Sequence, residues 1–164
     1  MLVPMLAFAL LGLLVGSFLN VCIYRLPRRE SIVWPASHCT ACNRCLAWFE
    51  NIPVISWLVL HGSCRTCGAL ISPMYPIVEL TTAVVFVGGG SVYGLSTLLA
   101  VRLLFASALV VLCVIDLRHR ILPDVITIPG IVAGFAASWF LPPGWSSSLI
   151  GIVVGGGVLL AIAE

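Results

Sequence analysis

Apolar residues fill the chain in five long runs, and a polar stretch at residues 25–76 separates the first run from the others. The first run, residues 1–24, carries no charged side chain. As a helix rising 1.5 Å per residue it is long enough to cross about 30 Å of hydrocarbon. A secretory signal would open on lysine or arginine and close on a small-residue cleavage site. This run opens neutral and ends at Arg25, Arg28 and Arg29, so it reads as a retained membrane helix. Hydrophobicity returns at Ile77 and continues to about Tyr93, broken by Gly88-Gly89-Gly90. A third run spans Leu98 to Ile115, a shorter fourth spans Ile126 to Leu141, and a fifth begins at Leu149.

Composition agrees with this pattern. At 61% hydrophobic and 9% charged residues, the chain is far from a soluble domain, where about a quarter of residues are charged. The net charge is only +2. No basic face exists, which excludes a nucleic-acid partner.

Every basic residue apart from histidine is arginine, and arginines near span ends stay on the cytoplasmic side. That bias predicts an outer N-terminus, a cytoplasmic 25–76 segment and an outer Gly90–Leu95 link. Arg118 and Arg120 then return to the cytoplasm, and the Pro142–Ser148 turn lies outside with Trp145 in the aromatic belt. Seven of the eight arginines fall on the cytoplasmic side in this arrangement. Arg102, one turn into the third run near its outer end, is expected to snorkel. The fifth run stops at Glu164 at lipid depth, which leads us to expect a chain shortened relative to a longer parent.

Two CxxC pairs, Cys39–Cys42 and Cys64–Cys67, sit in the polar stretch. Each presents two thiolates from a tight turn, and two such knuckles complete a tetrahedral four-sulfur zinc site. A reducing cytoplasm argues against disulfides. A thioredoxin-type redox motif would be one CxxC in a βαβ context, which is absent. A four-sulfur site is closed, so the metal holds the loop and does no chemistry. Metal binding would also supply folding free energy that this apolar-poor segment lacks. Cys45 and His38 read as bystanders, and Cys22 and Cys113 as small buried hydrophobes within spans. The predicted fold is therefore an all-α polytopic membrane protein with about five transmembrane helices and a small zinc-ribbon-like cytoplasmic loop. It divides into a first helix (1–24), the zinc loop (25–76) and a helical core (77–164).

Three carboxylates stand near span ends. Glu79 opens the second run after Pro76, where a helix dipole favours a negative charge, and a functional role stands level with that structural one. Asp124 is placed to cap the helix that follows it. Asp116 ends a long apolar run with no capping duty, and an ionisable group at a membrane boundary points to function.

In order along the chain, Gly16-Ser17-Phe18-Leu19-Asn20-Val21, Tyr24–Pro27, Ser31–Cys39 and Asn51–Trp57 resemble the type IV prepilin peptidases. So do Cys64–Gly68, Ile71–Pro76 with Val78–Leu80, and Asp116 with Leu122-Pro123-Asp124. The resemblance implies an inner-membrane enzyme that cleaves the leader of prepilins or pseudopilins at the cytoplasmic face. It also implies methylation of the new N-terminus with S-adenosylmethionine, and links the cysteine loop to that half of the activity. Asp116 matches the first catalytic aspartate, with Asp124 its neighbour. The family's second aspartate belongs to a Gly-x-Gly-Asp motif that these 164 residues do not contain. No glycine-rich cofactor fingerprint occurs, so no residue is assigned to S-adenosylmethionine. Two rival readings remain: a non-catalytic membrane scaffold whose zinc loop binds a partner, and a methyltransferase without peptidase activity.

Overall fold

The computed structural model describes residues 2–142 and 144–163. Glu164, where the fifth run stops, and Pro143 of the expected turn lie outside the described residues. Every apolar run is helical: α1 spans Leu2–Arg25, α3 Met74–Tyr93, α4 Thr97–His119, α5 Asp124–Ala137 and α6 Trp145–Ala163. The polar segment contributes only a short helix, α2, at Ile55–Val59, and two 3-10 turns, Leu26–Arg28 and Trp48–Asn51. No strand forms among the described residues, only two isolated bridges.

Three helices are long and apolar enough to cross a membrane, those built on α1, α3 and α4. The 14-residue α5 falls short of the roughly 20 residues a bilayer needs. It and the Trp145–Val158 part of α6 are shorter apolar helices. The chain divides into two units, one reaching to Pro123 and the other starting at Asp124.

In the first unit α1 packs along α3. A Cβ on Gly12 would stand 2.6 Å from the Ala83 Cα, and one on Gly16 2.7 Å from the Glu79 Cα. Gly12 and Gly16, four residues apart, therefore let the two backbones touch, as small-xxx-small pairs do in membranes. The glycine run at 88–90 does not interrupt α3. Gly90 instead takes the Phe8 ring and Gly89 takes Leu99 and Leu103 of α4. Ile115, Val78 and Thr82 are the most deeply buried side chains, so the core follows the α1–α3–α4 seam. Thr82 satisfies its hydroxyl by donating to the Val78 carbonyl at 2.8 Å.

Two expectations change. First, α3 begins at Met74, ahead of Ile77, because Pro76 sits in the first turn, where a missing N–H costs nothing. Glu79 thus lies beyond that turn and does not serve its dipole. Second, Cys113 is exposed on α4, unlike the buried Cys22. Arg102 lies 4.1 Å from the centroid of the Tyr93 ring, a cation–π contact.

In the second unit, Asp124 is the first residue of α5, and Pro129 lies inside that helix. Trp139 and Trp145, at either end of the connection to α6, have ring centroids 6.4 Å apart.

Candidate functional site

The two CxxC turns have the same backbone design. The Cys39 N–H donates to the Arg44 carbonyl at 2.9 Å, and the Asn43 N–H returns to the Cys39 carbonyl at 2.9 Å. In the second turn the Cys64 N–H donates to Ala69 at 2.8 Å and Gly68 returns to Cys64 at 2.9 Å. Asn43 (φ 55°) and Gly68 (φ 70°) occupy the left-handed position after each second cysteine, which asparagine and glycine tolerate best. A single bridge closes each turn, His38 with Cys45 and Ser63 with Leu70.

These turns bring the sulfurs of Cys39, Cys42, Cys64 and Cys67 within 4.8 Å of one another. The Cys39 and Cys67 sulfurs are 3.8 Å apart. A tetrahedral zinc site with Zn–S bonds of about 2.3 Å spaces its sulfurs by roughly 3.8 Å, so the donor set fits that ion. Cys45 stands outside the cluster, at the place Leu70 holds in the other turn. His38 hydrogen-bonds the Ala36 carbonyl through Nδ1 at 3.0 Å and is no member of the set.

Backbone N–H groups are aimed at the sulfurs. Those of Cys42 and Ala41 pull the Cys39 thiol below its ordinary range, and those of Cys67 and Thr66 bring Cys64 down to about 6. Cys67 accepts from the Ala69 N–H, yet burial and the adjoining sulfurs push it up to about 11. Four thiolates repel one another unless a cation is shared among them, and a metal ion supplies that charge.

Polar contacts hold the cysteine module together and tie it to the helices. Arg25, at the end of α1, is buried and forks onto two loop carbonyls, Ser31 at 2.9 Å and Pro35 at 2.7 Å. The Glu50 carboxylate takes Arg44 on one oxygen at 2.7 Å and the Ala47 N–H on the other at 2.8 Å. Trp57 donates through Nε1 to the Ile71 carbonyl at 3.1 Å, and the Ser56 hydroxyl to Phe49 at 2.6 Å. Glu79 reaches up from α3 and accepts the Val54 N–H at 2.7 Å. Asn20 of α1 donates to the Tyr75 carbonyl at 3.0 Å. Between this module and the ends of α1, α3 and α4 lies a cavity of about 710 Å³. That volume suits a small-molecule ligand.

Asp116 is exposed in the last turn of α4, directly after the fully buried Ile115. A carboxylate there opposes the helix dipole, at a cost of about 0.3–1 kcal/mol. Arg118 and His119 follow in the same turn. Arg118 reaches across to the Ser72 hydroxyl at 3.3 Å, and both residues line the cavity. Asp124 is exposed at the start of α5, where the dipole favours it. Sequence reasoning treated Arg25 as a marker of topology and left open what Glu79 does. Only the return of the loop over α3 shows that both are anchors of the module.

Residues 10–91 match the bacterial peptidase A24 N-terminal domain, and residues 103–164 match the type IV leader peptidase family. A prepilin leader peptidase/N-methyltransferase of Myxococcus xanthus is 47% identical over 146 residues, covering 88% of this chain and 44% of that protein. The protein of the same name from Dichelobacter nodosus is 38% identical, covering 89% of this chain and 61% of the relative. One from Bacillus subtilis is 36% identical over 93% of this chain and 62% of its own length. The chain thus spans about half the length of the curated relatives it matches. No solved structure matches it. With half the chain covered by the first domain and the second following in order, this chain belongs to the A24 peptidases, the type IV prepilin peptidase family.

Proposed function

We propose that the chain serves leader cleavage and N-terminal methylation of prepilins or pseudopilins at the cytoplasmic face of a bacterial inner membrane. The observation that carries this reading is the unbroken order of the match. Both family models follow one another along the chain, and the named relatives catalyse those two steps by their titles. The arginine bias supports an outer N-terminus with the cysteine module and Asp116 inside.

Cys39, Cys42, Cys64 and Cys67 hold one structural zinc. It occupies all four sulfurs, leaves no open position, and fixes the module above the helix ends. Asp116 is the catalytic carboxylate carried by this chain. In its ionised form it takes a proton from the attacking water, while a second, protonated carboxyl donates to the peptide carbonyl or leaving amine. Asp124, eight residues on in the sequence, is the other carboxylate the family match points to. S-adenosylmethionine supplies the methyl group for the second step.

The test grafts residues 1–164 in place of the matching part of the Myxococcus xanthus relative and follows a prepilin by mass. Asp116→Asn should abolish leader cleavage, while methylation of already cleaved pilin persists. Asp124→Asn should be milder if it only supports α5. Cleavage by the Asp116→Asn graft at the parent rate would remove Asp116 from the mechanism. Loss of both activities with the graft still in the membrane would favour a scaffold.

A further inference from the structure

Within the polar segment one stretch is apolar, Ile52-Pro53-Val54-Ile55-Ser56-Trp57-Leu58-Val59-Leu60. It is too short to cross a bilayer. Its two polar side chains turn inward, Ser56 to the Phe49 carbonyl and Trp57 to that of Ile71. Ile55, Leu58 and Val59 share the other face of α2 by their spacing, and they are 58%, 59% and 68% exposed. The height of this stretch is set by its contacts with the long helices. At the turn into α2 the Val54 N–H donates to the Glu79 carboxylate at 2.7 Å. Glu79 lies five residues into α3, about 7.5 Å inside its first residue. The Ser17 and Asn20 side chains of α1 hydrogen-bond the same carboxylate. They stand eight and five residues short of Arg25, where α1 ends, or about 12 and 7.5 Å inside that end. Leu14, deeper still, lines the same cavity as Val54. At this level Phe18 of α1 and Ile77 and Leu80 of α3 are exposed, as side chains facing lipid are. Thus α2 starts alongside the spanning helices and not beyond their ends.

We propose that residues 52–60 are a re-entrant segment, which enters the leaflet on the module's side of the membrane and seats Ile55, Leu58 and Val59 among lipid acyl chains. In water these three side chains would form an apolar patch with nothing to cover it, whereas hydrocarbon takes them without cost. Irregular backbone is tolerated at membrane depth only where protein satisfies its polar groups. Glu79 does this at the tip, accepting the Val54 N–H, and Pro53 brings no N–H of its own. Val54 turns there with φ at 61°, a value a β-branched residue rarely adopts. The segment fixes the height of the cysteine module, and its inner side, through Val54, Trp57 and Leu60, walls the cavity. The partner is therefore lipid, and the proposal stands apart from the reaction proposed above.

The test places the photo-crosslinker p-benzoylphenylalanine at Leu58, at Val59 or, as a control in the first CxxC turn, at Ala41, in the full chain in phosphatidylglycerol–phosphatidylethanolamine nanodiscs. Zinc content equal to the parent's shows that each variant folded. Irradiation should give phospholipid adducts by mass at Leu58 and Val59, at least tenfold above the yield at Ala41. The unsubstituted chain gives a second reading that no folding defect can blur. In nanodiscs, hydroxyl radicals generated in the water should leave Leu58 and Val59 unoxidised. Adducts to another part of the chain or to a second copy in place of lipid would overturn the proposal, as would oxidation of Leu58 and Val59 in the parent.

Discussion

The cysteine module and the α1–α3 pair are held together by opposite means. The helices meet through bare backbone: Gly12 and Gly16 press against Ala83 and Glu79 with no room for a methyl group. The module has almost no apolar core. Its shape comes from paired turn hydrogen bonds, one buried arginine fork, one ion pair and four converging sulfurs. In lipid, close packing is available to any helix pair with small residues. Outside it, a short segment that cannot bury enough surface needs cross-links instead. The two designs meet at Arg25, Glu79 and the Arg118–Ser72 contact, so a change in one region should be felt in the other through these anchors.

The largest effect should come from the sulfurs. The double variant Cys42→Ser, Cys67→Ser should fall from about one zinc per chain to none by elemental analysis, and residues 37–71 should become open to proteolysis. Cys45→Ser should keep the metal. Full retention of zinc by the double variant would mean that the module is held otherwise. Next, Gly16→Leu must force α1 away from α3. Overpacking of that kind costs about 3 kcal/mol, read as a drop in the detergent melting temperature with zinc content unchanged. If zinc is lost as well, the two regions are not independent.

Arg25→Lys keeps the charge and the topology signal but cannot fork onto two carbonyls. It should loosen the module by about 1–3 kcal/mol, seen as faster exchange of the loop amides while α1–α3 protection stays. The smallest effect is acid-dependent. Arg44, then the Ala47 N–H, holds the Glu50 carboxyl below the usual carboxylate range. A depressed folded value means that this contribution is complete above the unfolded value near 4.3 and is lost as pH falls through the folded one. Trp48 fluorescence should therefore report loosening only below about pH 4.3, and Glu50→Gln should abolish that step.

Much of this was legible from residue types alone. CxxC spacing predicts paired turns because each needs only local hydrogen bonds; the left-handed positions at Asn43 and Gly68 emerge from the structure. The long apolar runs predict α1, α3 and α4 because length against bilayer thickness decides the matter. What stayed hidden depends on contacts between distant parts of the chain. The close approach of Gly12 and Gly16 to Ala83 and Glu79 went unread, because which helix meets which is not written in the local pattern. The run Gly88-Gly89-Gly90 read as a break, whereas the rings and side chains seated on Gly89 and Gly90 keep α3 continuous. Arg25 looked like a topology charge because the carbonyls it serves lie in a loop with no regular pattern. Asp116 was legible as a carboxylate without a capping duty, in keeping with its place in the last turn of α4; the catalytic role proposed for it needs a second carboxyl that local pattern does not supply.

The most direct test of the central claim is the N-terminal mass of a pilin processed by the grafted chain in membranes. The account predicts a product shortened by its leader and heavier by one methyl group when S-adenosylmethionine is present. A pilin that keeps its leader, from a graft that carries its zinc and reaches the membrane at parental level, would contradict it.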